Sequence, residues 1–469
     1  MTDSMTHTPR ERSGLWVLLA VGVGTFMSAL DGSVVNAILP VMRAELRTDV
    51  ATIEWVVTVY LLTVGGLLLG FGRLGDVRGH KSVYVLGFGG FVVSSVLCGL
   101  SPGVHALIAA RALQAVGAAM LLSNSAAILT GSFPPERRGR VLGLQAMMTY
   151  LGLIVGPSLG GWLTQHLGWR SVFYMNVPVG LLALGLSLRF VPRDTPSSQG
   201  EPFDWAGAVL FLTGLVALML GLNQGHAWGW GSPGIVGLLA GAAVVLGAFV
   251  VLQWRLRAPM LDLSLFRHVT FSAASATALL NYICIYSLVF LLPFYLLQGR
   301  GLTPGQAGLL LTAQPAVMMV AAPLSGSLSD RVGSRWLAMV GMALLSGGLL
   351  LLSRLGLATP LSHVAVGLAV CGLGTGIFIA PNNSALLGAA PRHRQGIASG
   401  VLATSRYVGM VLGVGLAGAI FTTMLAEHAE PDSAEALVRA VDRGFLVASV
   451  LAALGVFAAA VRARPPERR

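Results

Sequence analysis

Asp31, Arg111 and Arg406 are ionisable side chains placed inside long runs of apolar residues. A charge at the centre of a bilayer costs about 2.5–3.5 kcal/mol on insertion scales and normally faces a partner or a water-filled cavity. Asp31 lies nine residues before Pro40, which at the helical rise per residue is roughly 13 Å below the end of its run. Counted inward from His105, Arg111 falls roughly 9 Å deep and Gln114 roughly 13 Å deep. Depth therefore permits an Asp31, Arg111 and Gln114 cluster, either as a permanent structural ion pair or as a group that handles protons.

Covalent and phosphoryl chemistry find no site. The chain has no Walker loop, no paired-histidine metal motif and no nucleophile elbow. Its glycine runs "GLGTG" and "GVGLAG" lie within apolar stretches with no strand before them, which excludes a dinucleotide fold. Cys98, Cys284 and Cys371 stand singly in apolar runs, so packing is their expected role and no metal site is expected. The sequence reads as a non-enzyme without cofactors, driven by an ion gradient.

The elements that must position these groups follow from composition. Of 469 residues, 55% are hydrophobic and only 10% charged, more apolar surface than a soluble domain buries. A span needs about 20 apolar residues. Fourteen such runs cover roughly 14–38, 52–71, 83–100, 104–131, 141–163, 171–190, 205–222, 233–254, 270–292, 305–327, 336–353, 362–386, 396–424 and 444–462. The expected fold class is an all-α integral membrane protein with 14 transmembrane helices. The first run is too long for a signal-peptide core, and its exit "NAILP" lacks a cleavage site, so it is expected to remain as a helix.

The net charge of +11 is spread over small clusters between runs, which argues against nucleic acid. With the N-terminus inside, inner loops hold 21 of the 30 Lys and Arg and outer loops hold 7. This asymmetry predicts both termini on the cytoplasmic side.

The chain also repeats itself. "GRLGDVRGHK" at 72–81 returns as "GSLSDRVGSR" at 326–335, and Gly117, Gly139, Gly152 and Gly156 recur as Gly374, Gly396, Gly409 and Gly413. Ordered matches at nearly one offset indicate duplication, here as parallel halves of six helices with a binding site between them. Two runs are left over, bounded by "PRDTPSSQGEP" and "RLRAPMLDLSLFR". The expected organisation is an N-terminal bundle at 1–195, a linker with two additional helices at 196–262 and a C-terminal bundle at 263–469.

At these residues the chain resembles the major facilitator superfamily. "GRLGDVRGHK" resembles its loop motif between helices 2 and 3, "RALQAVGAA" its helix 4 motif, and "GLIVGPSLGG" the helix 5 motif of its antiporters. With "LDGSVVNAILP", "GWRSVFYMNVPVG" and "FDWAGAVL", the set is similar to the fourteen-helix drug:proton antiporter family 2 over essentially the whole chain. The resemblance implies proton coupling at Asp31 and Arg111, with Gln114 beside them. An unpaired, desolvated carboxyl takes a proton, and a competing cation displaces it. It also implies that Gly72, Asp76, Arg78, Gly79 and Lys81, with Asp330, Arg331 and Arg335, latch the bundles in the outward-facing state. A plain solvated turn is the alternative, since exposed ion pairs are individually weak, and Val77 departs from the basic residue usual at its position.

In the helix 5 stretch, Gly152, Gly156 and Gly160 share one face that lets a backbone approach closely. Pro157, beside Gly161, frees a carbonyl and permits a bend. The resemblance implies that this face packs across the bundle interface and seals the pathway; generic small-residue packing is the alternative.

Pocket candidates are Met27, Tyr60, Met148, Tyr150, Tyr282, Tyr286, Gln314, Met318, Asn382, Asn383 and Arg406, about half of them expected to line the cavity. Met and aromatics suit varied apolar ligands, and an unpaired amide in lipid is costly. Arg406 meets no Asp or Glu in five of the C-terminal runs, so carbonyls, water or substrate must satisfy it. Exporters of the kind it resembles that favour dications often carry an additional membrane carboxylate in this half, so the resemblance, with that acid missing, implies neutral, singly charged or anionic hydrophobic substrates over dications.

The expected function is proton-coupled efflux of drugs, antibiotics or related molecules across the bacterial cytoplasmic membrane. The alternative is an importer or facilitator of a small nutrient. Expected partners are the lipid bilayer, small hydrophobic substrates and protons, with no nucleic acid, in a monomer. The acidic segment "AEHAEPDSAEALVRAVDRG" is expected as a surface helix, with a periplasmic adaptor as its alternative partner.

Overall fold

A computed structural model describes residues 9–192, 204–256, 261, 263–390, 395–426 and 433–461, apart from some side chains including those of Asp76, Asp330 and Arg331. The first half holds α1 (Pro9–Glu45), α2 (Val50–Arg78), α3 (His80–Leu100), α4 (Val104–Ser132), α5 (Pro135–Leu167), α6 (Ser171–Tyr174) and α7 (Asn176–Phe190). Next come α8 (Trp205–Trp228) and α9 (Pro233–Arg255). The second half holds α10 (Val269–Phe294), α11 (Pro304–Leu311), α12 (Ala313–Val332), α13 (Ser334–Leu352), α14 (Leu361–Gly388), α15 (Gln395–Ala426) and α16 (Ala434–Ala460). These supply 14 helical stretches long and apolar enough to cross a membrane, in register with the fourteen runs read from the sequence. The sixth and tenth are each made of two helices, broken at Met175 and Thr312.

The duplication is visible in the packing. Within the first half α1 lies on α5, α2 and α3 on α4, and α1 and α3 on α7; the second half repeats this with α10 on α15, α12 and α13 on α14, and α10 and α13 on α16. Individual contacts repeat too. A Cβ on Gly117 would stand 2.8 Å from the Gly87 carbonyl, and one on Gly374 2.6 Å from the Gly341 carbonyl. Ser33 donates to the Gly152 carbonyl at 3.3 Å, and Ser287 makes a related bond one turn further along the partner helix, to the Gly413 carbonyl at 3.0 Å. Gly79 and Gly333 both turn the chain with positive φ, 90° and 88°, a conformation open to glycine and strained for other residues. The extra pair α8 and α9 pack on each other, and α8 also lies against α2 and α15.

The halves meet most closely on the side away from the two ends of the described chain. There α5 meets α11, and α2 meets α15. Gly305 donates its N–H to the Gln165 side chain at 3.2 Å, and Arg43 donates to Gln298 at 3.1 Å. A capping box between Thr303 and Gln306 starts α11 at this contact, satisfying two otherwise orphan backbone donors.

Several expectations are corrected here. The Gly152, Gly156 and Gly160 face packs on α1 of its own bundle, at Phe26, Ser33 and Val34. The cross-bundle contact is made instead by Gly161 against Pro304 and by the Pro157 carbonyl against Gly308. Lys81 donates to the Leu188 and Val191 carbonyls of its own bundle at 3.0 and 2.6 Å, closing the end of α7. Asp76 and Asp330 sit in the last turns of α2 and α12, not in loops; their side chains and that of Arg331 lie outside the described residues, so the latch is not placed. Arg78 is exposed and Arg335 half-buried, and a Cβ on Gly72 would meet only Ser123. The acidic segment from Ala434 onward forms no separate surface helix: it is the start of α16. That extension brings Asp442 into a span of the C-terminal half, half-buried, with Oδ1 unpartnered.

Candidate functional site

Five helices of the first bundle converge on Asp31. Both Asp31 and Arg111 are 1% exposed. Asp31 Oδ2 accepts from Arg111 Nη1 at 2.6 Å. Its other oxygen, Oδ1, accepts from Gln114 Nε2 at 3.1 Å and from Asn176 Nδ2 at 2.7 Å. The helical spacing of Arg111 and Gln114 places both on one face of α4, while the break between α6 and α7 puts Asn176 at the mouth of α7. Gln114 also donates to Ser95 of α3 at 2.9 Å, and Arg111 Nε donates to the Val56 carbonyl of α2 at 3.2 Å.

The cluster is thus neutral overall and mostly saturated, which is how a buried ion pair is tolerated. One acceptor, Asn176 Oδ1, is buried without a partner. Depth along the sequence brings together Asp31, Arg111 and Gln114; it misses Asn176 and Ser95. Asn176 lies within the stretch "GWRSVFYMNVPVG", where a lone amide in an apolar run is the available signal.

On the far side of Arg111 its guanidinium lies 4.1 Å over the Tyr60 ring, a cation–π contact strengthened by desolvation. Tyr60 is in turn within electrostatic reach of Tyr286 and Tyr407 in the other bundle. There Arg406 sits 5.6 Å from the Tyr282 ring and 5.8 Å from that of Tyr407, with Tyr150 of α5 and Tyr286 also in its field. Arg406 Nε is buried and has no hydrogen-bond partner. Tyrosines from both halves therefore surround two intramembrane guanidinium groups; Arg111 is paired with a carboxylate, and among the described residues Arg406 is not.

Of the expected pocket residues, Tyr60, Tyr150, Tyr282, Tyr286 and Arg406 converge, joined by Tyr407, which sequence reasoning passes over. Gln314 is buried near the break before α12, and its Nε2 has no partner. The others go elsewhere. Met27 is fully buried beside Gly180 of α7, and Met148 packs on Gly22 of α1. Met318 abuts Gly376 of α14, and Asn382 donates to the Ala274 carbonyl at 3.2 Å, tying α14 to α10. Asn383 is half-buried on α14. Helix–helix packing claimed these residues because lipid gives helices no hydrophobic reason to associate, leaving close contact and interhelical hydrogen bonds to do so. Among the described residues no cluster of side chains has metal-ligand character. A further buried carboxylate, Glu54, also escapes sequence reasoning, since a single acid does not interrupt the apolar run "ATIEWVVTVY".

Comparison with known proteins places this geometry in context. The chain is 32% identical to the riboflavin transporter RibZ of Clostridioides difficile, over 94% of this chain and 95% of that one. It is equally 32% identical to the multidrug resistance protein Stp of Mycobacterium tuberculosis, over 94% and 82%. Its fold matches that of a bacterial homologue of the human lysosomal transporter Spinster, solved inward-facing and unoccupied, with a TM-score of 0.71 at 16% identity over 98% of this chain and 100% of that one. The family model of the Major Facilitator Superfamily matches residues 21–277 and 274–469. Two parallel six-helix bundles with two inserted helices, a buried charge cluster and a tyrosine-lined seam thus belong to a multi-pass membrane transporter, and this chain is a member of the major facilitator superfamily.

Proposed function

We propose that the protein is a proton-coupled exporter of hydrophobic small molecules in a bacterial cytoplasmic membrane, with both termini inside. The observation that carries this reading is the Asp31–Arg111 pair at 2.6 Å, a titratable carboxyl linked through Tyr60 to the seam between the bundles. With the outer side open, Asp31 takes a proton and Arg111 is released toward Tyr60. Once the outer side has closed, Arg111 reclaims the carboxylate, and the proton leaves toward the inside. A transporter that returns this way only with its proton, and outward only with substrate, exchanges the two.

Substrate would sit among Tyr150, Tyr282, Tyr286 and Tyr407, with Arg406 as the fixed charge. A guanidinium with no carboxylate beside it favours neutral, anionic or singly charged aromatic compounds over dications. Similarity to a protein named for multidrug resistance supports export. Similarity to a riboflavin transporter supports a second reading, carriage of one small nutrient without antiport.

The test is transport of neutral, anionic, monocationic and dicationic aromatic probes in proteoliposomes under an imposed pH gradient, with Asp31→Asn alongside. Gradient-driven movement against the proton flow, lost in Asp31→Asn, is the expected result. Transport indifferent to the gradient and to that substitution would replace antiport with facilitated carriage, and dications moving as fast as monocations would overturn the charge assignment.

A further inference from the structure

Glu54 stands apart from the Asp31 cluster, near the outer end of α2. It is 2% exposed, and among the described residues its one hydrogen-bond partner is Asn223 of the inserted helix α8, which donates to Oε2 at 3.1 Å. Asn223 is itself firmly held: it donates to the Ala51 carbonyl at 2.8 Å and accepts from Trp55 Nε1 at 3.1 Å. The opposite wall of the site is α15. Gly418 gives way directly to Glu54, since a Cβ there would collide with Oε2, and Gly415 lies one turn away with its own Cβ position 3.8 Å from Oε1. The carboxyl therefore fills a glycine notch formed by the C-terminal bundle, while its amide partner comes from the inserted pair. Three parts of the chain meet on this one group.

No cation compensates it among the described residues. On α2 itself Asp49 caps the helix through Thr52. From α8 come the neutral Asn223 and Gln224, the side chain of His226 lying outside the described residues, and α15 presents Gly415 and Gly418. On α4, Arg111 is committed to Asp31 and the Val56 carbonyl, and His105 is exposed. On α1, Arg43 is bonded to Gln298; at that helix's end Glu45 and Arg47 are partly or fully exposed. The inner-end His80 and Lys81 of α3 belong to the other side of the membrane. An ionised carboxylate buried with one amide donor and no cation is among the costliest groups a protein can bury, whereas a neutral carboxyl is satisfied by the Asn223 contact at one oxygen.

We propose that Glu54 is a second proton-binding site, belonging to the outer gate: α2 and α15 close only over the protonated carboxyl. The proton occupies Oε1 while Oε2 accepts from Asn223. Separation of α15 exposes the carboxyl to the outer solution, which supplies the proton before closure and receives it after opening. This proton does not cross the membrane. It sets the balance between open and closed outer ends, and the inserted helix α8 serves as the fixed anchor for the group that reads outer acidity.

The inference needs only alternating access and is tested without a gradient. Spin labels on His105→Cys and Ala358→Cys, exposed positions at the outer ends of opposite bundles, report the gate by electron–electron distance measurement in detergent; the native cysteines are all buried. Raising pH from 5.5 to 8.5 is expected to lower the closed population at least threefold in the otherwise unaltered chain. Asp31→Asn, which removes the other proton-taking carboxyl, retains a pH response, and adding Glu54→Gln, an isosteric neutral stand-in, to that variant holds the gate closed at both pH values. Gly418→Ala, which fills the notch, opens it at both. A response that persists in the Asp31→Asn, Glu54→Gln double variant, or that is already absent in Asp31→Asn, would overturn the assignment. Because these outcomes are read at equilibrium, they are independent of whether gradient-driven efflux is observed in proteoliposomes.

Discussion

A paired carboxylate and guanidinium in the membrane can be scaffold or machinery, and the two roles leave different traces in variants. Arg111→Ala strands Asp31 in a dry site, and breaking a buried pair from one side costs about 3–5 kcal/mol. Purified Arg111→Ala is expected to lose thermal stability severely. The double variant Asp31→Asn with Arg111→Gln removes both charges and is expected to recover most of that stability while transporting without regard to the pH gradient. Recovery of both stability and coupling would reduce the pair to scaffold. Arg111→Lys keeps the charge but gives up the planar fork that reaches Asp31 and the Val56 carbonyl together. Its initial transport rate is expected to fall about tenfold or more, the scale of one charge-assisted hydrogen bond. At Arg406 the expectation differs, because nothing acidic depends on it: Arg406→Gln is expected to fold normally and to lose preference among probe charges.

At the scale of elements, small residues decide where helices touch. Gly308 of α11 receives the Pro157 carbonyl of α5, and Gly161 receives Pro304, so a methyl at either position pushes apart two helices of opposite bundles. Gly308→Ala is expected to slow transport and shift the molecule toward open outer ends, checked with the same spin-label pair. A Cβ on Gly185 meets nothing within 4 Å. Gly185→Ala is therefore expected to leave transport unchanged and to add about 0.5–1 kcal/mol of stability, the ordinary gain from relieving a helix of glycine. The contrast tests whether close approach at the outer contact, and not helix propensity, is what the small residues of α5 and α11 serve.

For the whole molecule the question is whether closure at the side away from the termini is one stage of a cycle. Gln165 and Gly305 are bonded across the bundles at 3.2 Å. A Gln165→Cys, Gly305→Cys pair is expected to cross-link under mild oxidation, stop transport and release it on reduction. Transport continuing through the cross-linked protein would mean that these ends never part. The proposed orientation, which makes this side the outer one, rests on the Lys and Arg asymmetry; His105→Cys is expected to react with an impermeant thiol reagent from outside intact cells, and protection there would reverse it.

Periodic and compositional features are fully legible in the sequence. Fourteen apolar runs, the repeat carried by "GRLGDVRGHK" and "GSLSDRVGSR", and the extra pair of helices all depend on local signals: how long a run must be to cross a bilayer, and how far apart duplicated residues fall. Depth along a helix is legible for the same reason, because rise per residue is fixed, and depth alone suffices to bring Asp31, Arg111 and Gln114 to one level of the membrane. Azimuth is not legible. Which neighbour a helix face meets depends on packing between segments remote in sequence, so only the tertiary structure turned the Gly152, Gly156 and Gly160 face toward α1 and assigned Asn382 to α10. The same packing gathered the tyrosines around Arg406 and set Glu54 against a glycine notch more than 350 residues away along the chain.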